Sequence, residues 1–219
     1  MMLPKKYNSI IIFLFFIVSW NCRTAFASED QNYINLAENY LNSISTLKAN
    51  FMQIAQNGDI AEGTIYLSRP GFLRIDYDPP SPIQIIVDGN FLIYHDKLLK
   101  QVSYIDIDTT PAGILVRPSI KLNDDTIKVI KIDHQPGIIN VTLTKTIDQG
   151  CITLTFTESP FQLRQWQVTD QQGQITTVSL FNSETGISFD KEFFYFKNPE
   201  FGNGPDISAN DLLRISTNI

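Results

Sequence analysis

Apolar and polar residues alternate along most of this chain, in runs of five to nine residues punctuated by turn-forming clusters. The densest example is 60–94, IAEGTIYLSRPGFLRIDYDPPSPIQIIVDGNFLIY. Gly63, Ile65 and Leu67 share one face of its first run, opposite Glu62, Thr64 and Ser68. Leu73, Ile75 and Tyr77 then oppose Arg74, Asp76 and Asp78, and Ile83, Ile85 and Val87 oppose Gln84 and Asp88. A period of two with turns at SRPG, DPPSP and DGN predicts a meander of antiparallel strands. Similar runs follow at 91–95, 99–107, 127–133, 138–145, 151–157, 165–169, 174–181 and 192–196, with turns at HQPG, DQG and DQQG. The total is roughly ten short strands, and no segment has the spacing of a parallel crossover. The fold class is therefore mainly β, as one antiparallel domain.

Two stretches break the alternation. In 32–50, Tyr33, Ala37, Tyr40, Leu41, Ile44 and Leu47 recur at spacings of three and four beside Glu38, Asn39, Asn42 and Ser43. That stripe predicts an amphipathic helix lying on the sheet. In 109–118, Thr109 and Thr110 precede Pro111 and the run ends at Pro118, which suits a short helical flap. Gly113 lies inside it and lowers its intrinsic rigidity. Arg69 is the odd member of the meander, because strict alternation places it on the apolar side at a strand's end. An arginine there needs a partner, since an unpaired guanidinium is costly to bury.

The first residues read as an address. Lys5 and Lys6 precede the apolar run 10–18, and Ala25-Phe26-Ala27 is a small-x-small cleavage site. The run is too short to span a membrane, so 1–27 is predicted to be a signal peptide and the mature chain to begin at Ser28. Bulky residues before Cys22 make a poor lipidation signal. Loss of 1–27 removes Lys5, Lys6 and Arg23 and no acid, which takes the formal net charge from −6 to −9. So acidic a chain is a poor partner for nucleic acid or for anionic lipid surfaces. Of the two cysteines only Cys151 would remain, leaving no disulfide, so a single core must hold the fold.

Signatures of catalysis are missing from the sequence. His95 and His134 have no second ligand at metal spacing, and there is no GxSxG, HExxH, P-loop or dinucleotide fingerprint. Asp76 and Asp78 alternate outward and read as a solvated face, as do Asp106, Asp108, Asp124 and Asp125. The expectation is a protein that is not an enzyme and uses no cofactor or metal. Alternation alone leaves open whether the sheet encloses a filled core or a ligand cavity.

The run YLSRPGFLRIDYDPP followed by QIIVDGNFLIYHD resembles the signature region of the LolA family of periplasmic lipoprotein carriers. ANFMQ after the helix, TPAGILVRP at the flap and FDKEFFYFKNP near the end are similar to that family's order, so the resemblance covers the chain from 28 to 219. It implies an unclosed antiparallel β-barrel, a half-barrel, with a helical lid over an apolar cavity for acyl chains. It also implies that Arg69 locks the lid through carbonyls near Leu115 and Val116. The cavity residues expected from phase under this resemblance are Ile65, Leu67, Leu73, Ile75, Tyr77, Ile83, Ile85 and Val87, with Ile114 and Leu115 from the flap. The helix residues Tyr33, Leu41 and Ile44 are weaker candidates. The implied setting is the periplasm of a Gram-negative bacterium. The implied partners are acylated lipoproteins, an inner-membrane lipoprotein-releasing ABC transporter as donor, and an outer-membrane acceptor or the outer membrane itself. A monomer suits a shuttle. Three other readings stand beside it: a related lipid sensor or outer-membrane acceptor, an exported lipid-active enzyme, and a structural β-protein with a filled core.

Overall fold

The computed structural model describes residues 24–145 and 150–198. Eleven strands form one sheet: β1 (Thr46–Ala55), β2 (Ile60–Ser68), β3 (Phe72–Tyr77), β4 (Ile83–Asp88), β5 (Phe91–Asp96), β6 (Gln101–Asp106), β7 (Lys128–Gln135), β8 (Ile138–Thr144), β9 (Cys151–Glu158), β10 (Phe161–Thr169) and β11 (Ile175–Thr185). Their order across the sheet is β6-β5-β4-β3-β2-β1-β11-β10-β9-β8-β7, with every pairing antiparallel. Tight turns explain the sequential neighbours, because an antiparallel pair needs no crossover. Among the described residues the long-range join, β1 to β11, places the first and last described strands side by side at the centre. β6 and β7 are edges and do not pair, so the barrel is unclosed.

Among the described residues one α-helix, α1 (Thr24–Ser43), lies over the inner face. It is offset from the predicted helix at 32–50, which ends seven residues early. Leu47 fits a helical stripe from Ile44, but it also begins a period-two series with Ala49 and Phe51. All three are buried, and Leu47 and Phe51 pair across to Leu67 and Gly63. Pairing with two neighbours overrode the local helical pattern. The residues before Thr24, which hold most of the expected signal peptide, lie outside the described residues, as does the tail beyond 198. The helix itself runs through the expected cleavage point after Ala27. Among the described residues no helix is long and apolar enough to cross a membrane.

The segment 192–196, expected as a closing strand, is a 3₁₀ turn at Lys191–Phe194. Its aromatics are consecutive rather than alternating, so a strand would project rings from both faces instead of gathering them on one. Asp190 caps the turn by accepting from the Glu192 N–H at 3.1 Å. The rings instead cover the outer face of β2–β5. Phe193 meets Tyr66 edge-on at 4.8 Å, Phe194 lies 5.8 Å from Phe72, and the Arg74 guanidinium sits 4.5 Å above Phe193 while donating to its carbonyl. Beneath this strap Ile86, Ile93 and Phe194 are buried.

On the inner face the two halves of the sheet differ. Ile139, Val141, Leu143, Ile152, Leu154 and Phe156 from β8 and β9 are at most 1% exposed. They lie in one core with Tyr33, Ile34, Ala37 and Leu41 of α1, and Tyr40 meets Phe156 and Phe161 edge-on. Tyr33, Leu41 and Ile44 are thus packing residues of a filled layer. The half formed by β2–β5 is less filled: Ile75, Tyr77, Ile85 and Leu92 are only partly buried.

Candidate functional site

Between that less filled half and the flap lies a cavity of about 280 Å³. Ile65, Leu73, Ile75, Tyr77 and Ile85 line it from β2, β3 and β4, and Leu115 roofs it. The five strand residues are among those expected from phase, and Leu115 is one of the two expected from the flap. The other four expected residues lie elsewhere. Leu67 and Val87 are buried in the core, Ile83 is half-buried away from the lining, and Ile114 packs against Leu143 and Ile152 in a separate small recess. The far wall was not anticipated. It is built by Phe51, Ile152, Trp166, Val168 and Val178, which the β1–β11 pairing brings across the sheet. Their alternation is visible in the sequence, but the pairing that aims them at the same space is not.

Polar groups gather at one edge of the cavity: Gln53, Tyr77, Asp170, Gln174 and Thr176. The Tyr77 hydroxyl donates to Gln53 Oε1 at 2.7 Å. Burial pushes the Tyr77 phenol up to about 12, reinforced by Tyr94 and partly offset by the Gln53 bond, the direction expected for a phenol held away from water. Gly63 leaves room for the Phe51 ring, since a Cβ there would fall 2.2 Å from the Asp76 carbonyl and 2.8 Å from Phe51.

The cover consists of two 3₁₀ turns, Ile107–Thr109 and Pro111–Ile114, rather than one short helix. Its first turn is capped by Asp106. Gly113 serves close packing here, because a Cβ would lie 2.5 Å from the Ile107 carbonyl. The cover is held at its margins. The Ile107 N–H donates to Asn90 O at 3.1 Å, the Gly71 N–H to Val116 O at 2.8 Å, and Lys145 Nζ to Asp108 O at 2.6 Å. The chain just beyond is stitched to α1. Asn42 donates to and accepts from the Ile120 backbone, both at 2.8 Å, and Glu38 accepts from the Leu122 N–H at 2.6 Å. Those two residues read as the polar face of a solvated helix, and a polar residue at helical spacing carries no sign of a backbone partner about 80 residues away.

Arg69 does not bond to carbonyls near Leu115 and Val116. Its Nη2 donates to the Leu41 carbonyl in the last turn of α1. The reason is local: the last carbonyls of a helix lack intrahelical partners, and a cation is favoured there by the helix dipole. The Val116 carbonyl is already taken by Gly71, two residues on. One turn of chain, 68–71, therefore grips both the helix and the cover. Burial pushes the Arg69 guanidinium down from its ordinary value, and its Nε is buried without a hydrogen-bond partner.

Asp76 accepts from Arg74 Nε at 2.8 Å and from Gln84 Nε2 at 2.7 Å, which makes it part of an outer-face polar network. His95 lies beneath Phe196, and His134 is hydrogen-bonded to Tyr33 at 3.0 Å. Among the described residues no group of three or more His, Cys, Asp or Glu is placed to hold a metal ion.

A family profile described as outer membrane lipoprotein carrier protein LolA matches residues 42–197. An uncharacterized protein of Rickettsia prowazekii is 26% identical over 196 residues, covering 88% of this chain and 91% of that protein. An outer-membrane lipoprotein carrier protein of Methylococcus capsulatus is 28% identical over 173 residues, covering 74% and 82%. Among solved structures, a LolA superfamily protein from Nitrosomonas europaea is similar at a TM-score of 0.45 and 9% identity, covering 76% of this chain and 97% of that one.

Proposed function

The chain belongs to the LolA family of outer membrane lipoprotein carriers, and from that membership we propose that it ferries acylated lipoproteins across the periplasm in the cavity under Leu115. The observation that carries the reading is an apolar half of the inner face left unfilled beneath a cover bonded at its margins. An acyl chain gains about 0.8 kcal/mol for each CH₂ removed from water, so an anchor of several chains needs shielding at every moment of transit. The closed space is just below the roughly 300–1,000 Å³ typical of small-ligand pockets. Loading therefore displaces the cover, and the contacts that hold it compete with cargo.

Arg69 sets part of that competition. Its bond to the Leu41 carbonyl, of a kind worth about 1.5–3 kcal/mol, favours the closed arrangement of helix and cover and so lowers the net affinity for cargo. Release to an acceptor at the outer membrane then follows without an energy source in the compartment. Replacing Arg69 by Leu is expected to leave lipoprotein uptake from the inner-membrane transporter intact and to block delivery. Delivery at the wild-type rate by Arg69→Leu sinks this role. The proposal places the mature protein in the periplasm as a monomer beginning at Ser28. N-terminal sequencing checks that start, and a blocked, acylated Cys22 would make the protein a membrane-held acceptor instead.

A further inference from the structure

The β5–β6 turn, Lys97-Leu98-Leu99-Lys100, exposes Leu98 to 77% and Leu99 to 62%. The turn is built to hold them outward. Asp96 Oδ1 accepts from the N–H groups of both leucines at 2.9 Å, Lys100 takes a left-handed φ of 54°, and the Lys97 N–H donates to Pro82 O at 3.1 Å. With the Asp96 carboxylate bonded back into its own turn, the leucine pair is flanked by Lys97 and Lys100.

The position of the turn matters as much as its composition. In a meander of antiparallel strands, the turns after β1, β3 and β5 lie along one edge of the sheet, and those after β2 and β4 along the other. The cover is bonded to the second edge at Gly71 and Asn90. The polar rim of the cavity, at Gln53, Tyr77 and Gln174, lies toward the first edge, where the Ile175 N–H is tied to Gln56 at 2.9 Å. That edge also exposes Ile60 (64%) and Ile54 (41%). The exposed leucines and the cavity rim thus share one end of the molecule.

We propose that this turn is a membrane-docking tip, which buries Leu98 and Leu99 at the acyl boundary of a phospholipid bilayer while Lys97 and Lys100 meet the phosphate headgroups. Leucines between lysines suit an interface that is apolar below and anionic above. A bilayer seated on the tip faces the rim, so an acyl chain passes between membrane and cavity without crossing open water. The acidic remainder of the chain repels an anionic surface and confines contact to the tip. This inference rests on the carrier reading.

The test is flotation of the full-length mature protein with phosphatidylcholine vesicles containing phosphatidylglycerol, alongside transfer of a fluorescent fatty acid from those vesicles and uptake of the same probe from solution. Wild type is expected to float. Leu98→Glu/Leu99→Glu is expected to stay unbound and to slow vesicle transfer about tenfold or more, with uptake from solution unchanged. In Leu98→Trp, the added indole emission is expected to shift to the blue when vesicles are mixed in. Wild type that does not float, a double glutamate variant that floats equally well, or an unshifted Leu98→Trp each overturns the tip, and the first outcome points to a protein surface as its partner. Failure of wild type to take up the probe from solution counts against the carrier reading instead, and flotation still decides the tip.

Discussion

The two halves of the inner face are built from the same alternating pattern and end in opposite states. β8 and β9 present Ile139, Val141, Leu154 and Phe156 to the core shared with α1 and are sealed there, while Leu143 and Ile152 close beneath Ile114 of the cover. β3 and β4 present Ile75, Tyr77 and Ile85, with Leu92 beside them on β5, to a space that only Leu115 crosses, and all four are only partly buried. The difference lies in what stands opposite each half, not in the strands. It also explains how a hollow half stays folded. β2–β5 bury their outer face beneath the aromatic strap, with Phe194 and Ile86 at 1% and 2% exposure, so their stability does not depend on filling the inner one. A binding cavity is then compatible with a firm sheet.

Substitutions sharpen this contrast. In the sealed half, Phe156→Ala is expected to cost about 3–5 kcal/mol of unfolding free energy and Leu154→Ala about 2–5, read by urea denaturation. Asn42→Ala removes both bonds to the Ile120 backbone and is expected to cost about 1–2 kcal/mol, with faster hydrogen exchange at Ile120. Ile85→Ala, at a position only partly buried, is expected to cost less than the roughly 2–5 kcal/mol of a fully buried truncation while weakening acyl-chain binding. Equal costs in the two halves would erase the distinction.

The smallest effect is a pH dependence at the rim. The folded Tyr77 pKa of about 12 stands above the ordinary value of 10.0. Its contribution to stability is therefore complete below pH 10 and is lost as pH rises from 10 towards 12. Tyr77→Phe is expected to flatten the fall in stability over that window and to remove the highest-pH component of the tyrosinate absorbance.

Much of this architecture was legible in the sequence, because period-two patterning and turn residues specify antiparallel strands locally. The meander from Ile60 to Asp96 needed nothing else. Errors arose where a local pattern was ambiguous or a partner was remote. Leu47 satisfied two periods at once, and the aromatic cluster at 193–196 satisfied neither. The site was half legible for the same reason. Ile65, Leu73, Ile75, Tyr77 and Ile85 follow from phase within consecutive strands, whereas Trp166, Val168 and Val178 reach the cavity only through the β1–β11 join. Arg69 was recognisable as a buried cation in want of a partner. That the partner is the end of α1 depends on where the helix stops, and the helical pattern misplaced that point by seven residues.

Lipid carriage in the cavity is tested by native mass spectrometry of the protein isolated from the periplasm, run beside Ile75→Trp, which places an indole in the hollow half. Acylated species are expected on the wild-type protein and none on Ile75→Trp, at unchanged unfolding free energy. Acylated species retained equally by both proteins, or absent from both, would contradict a cavity that carries lipid between β2–β5 and Leu115.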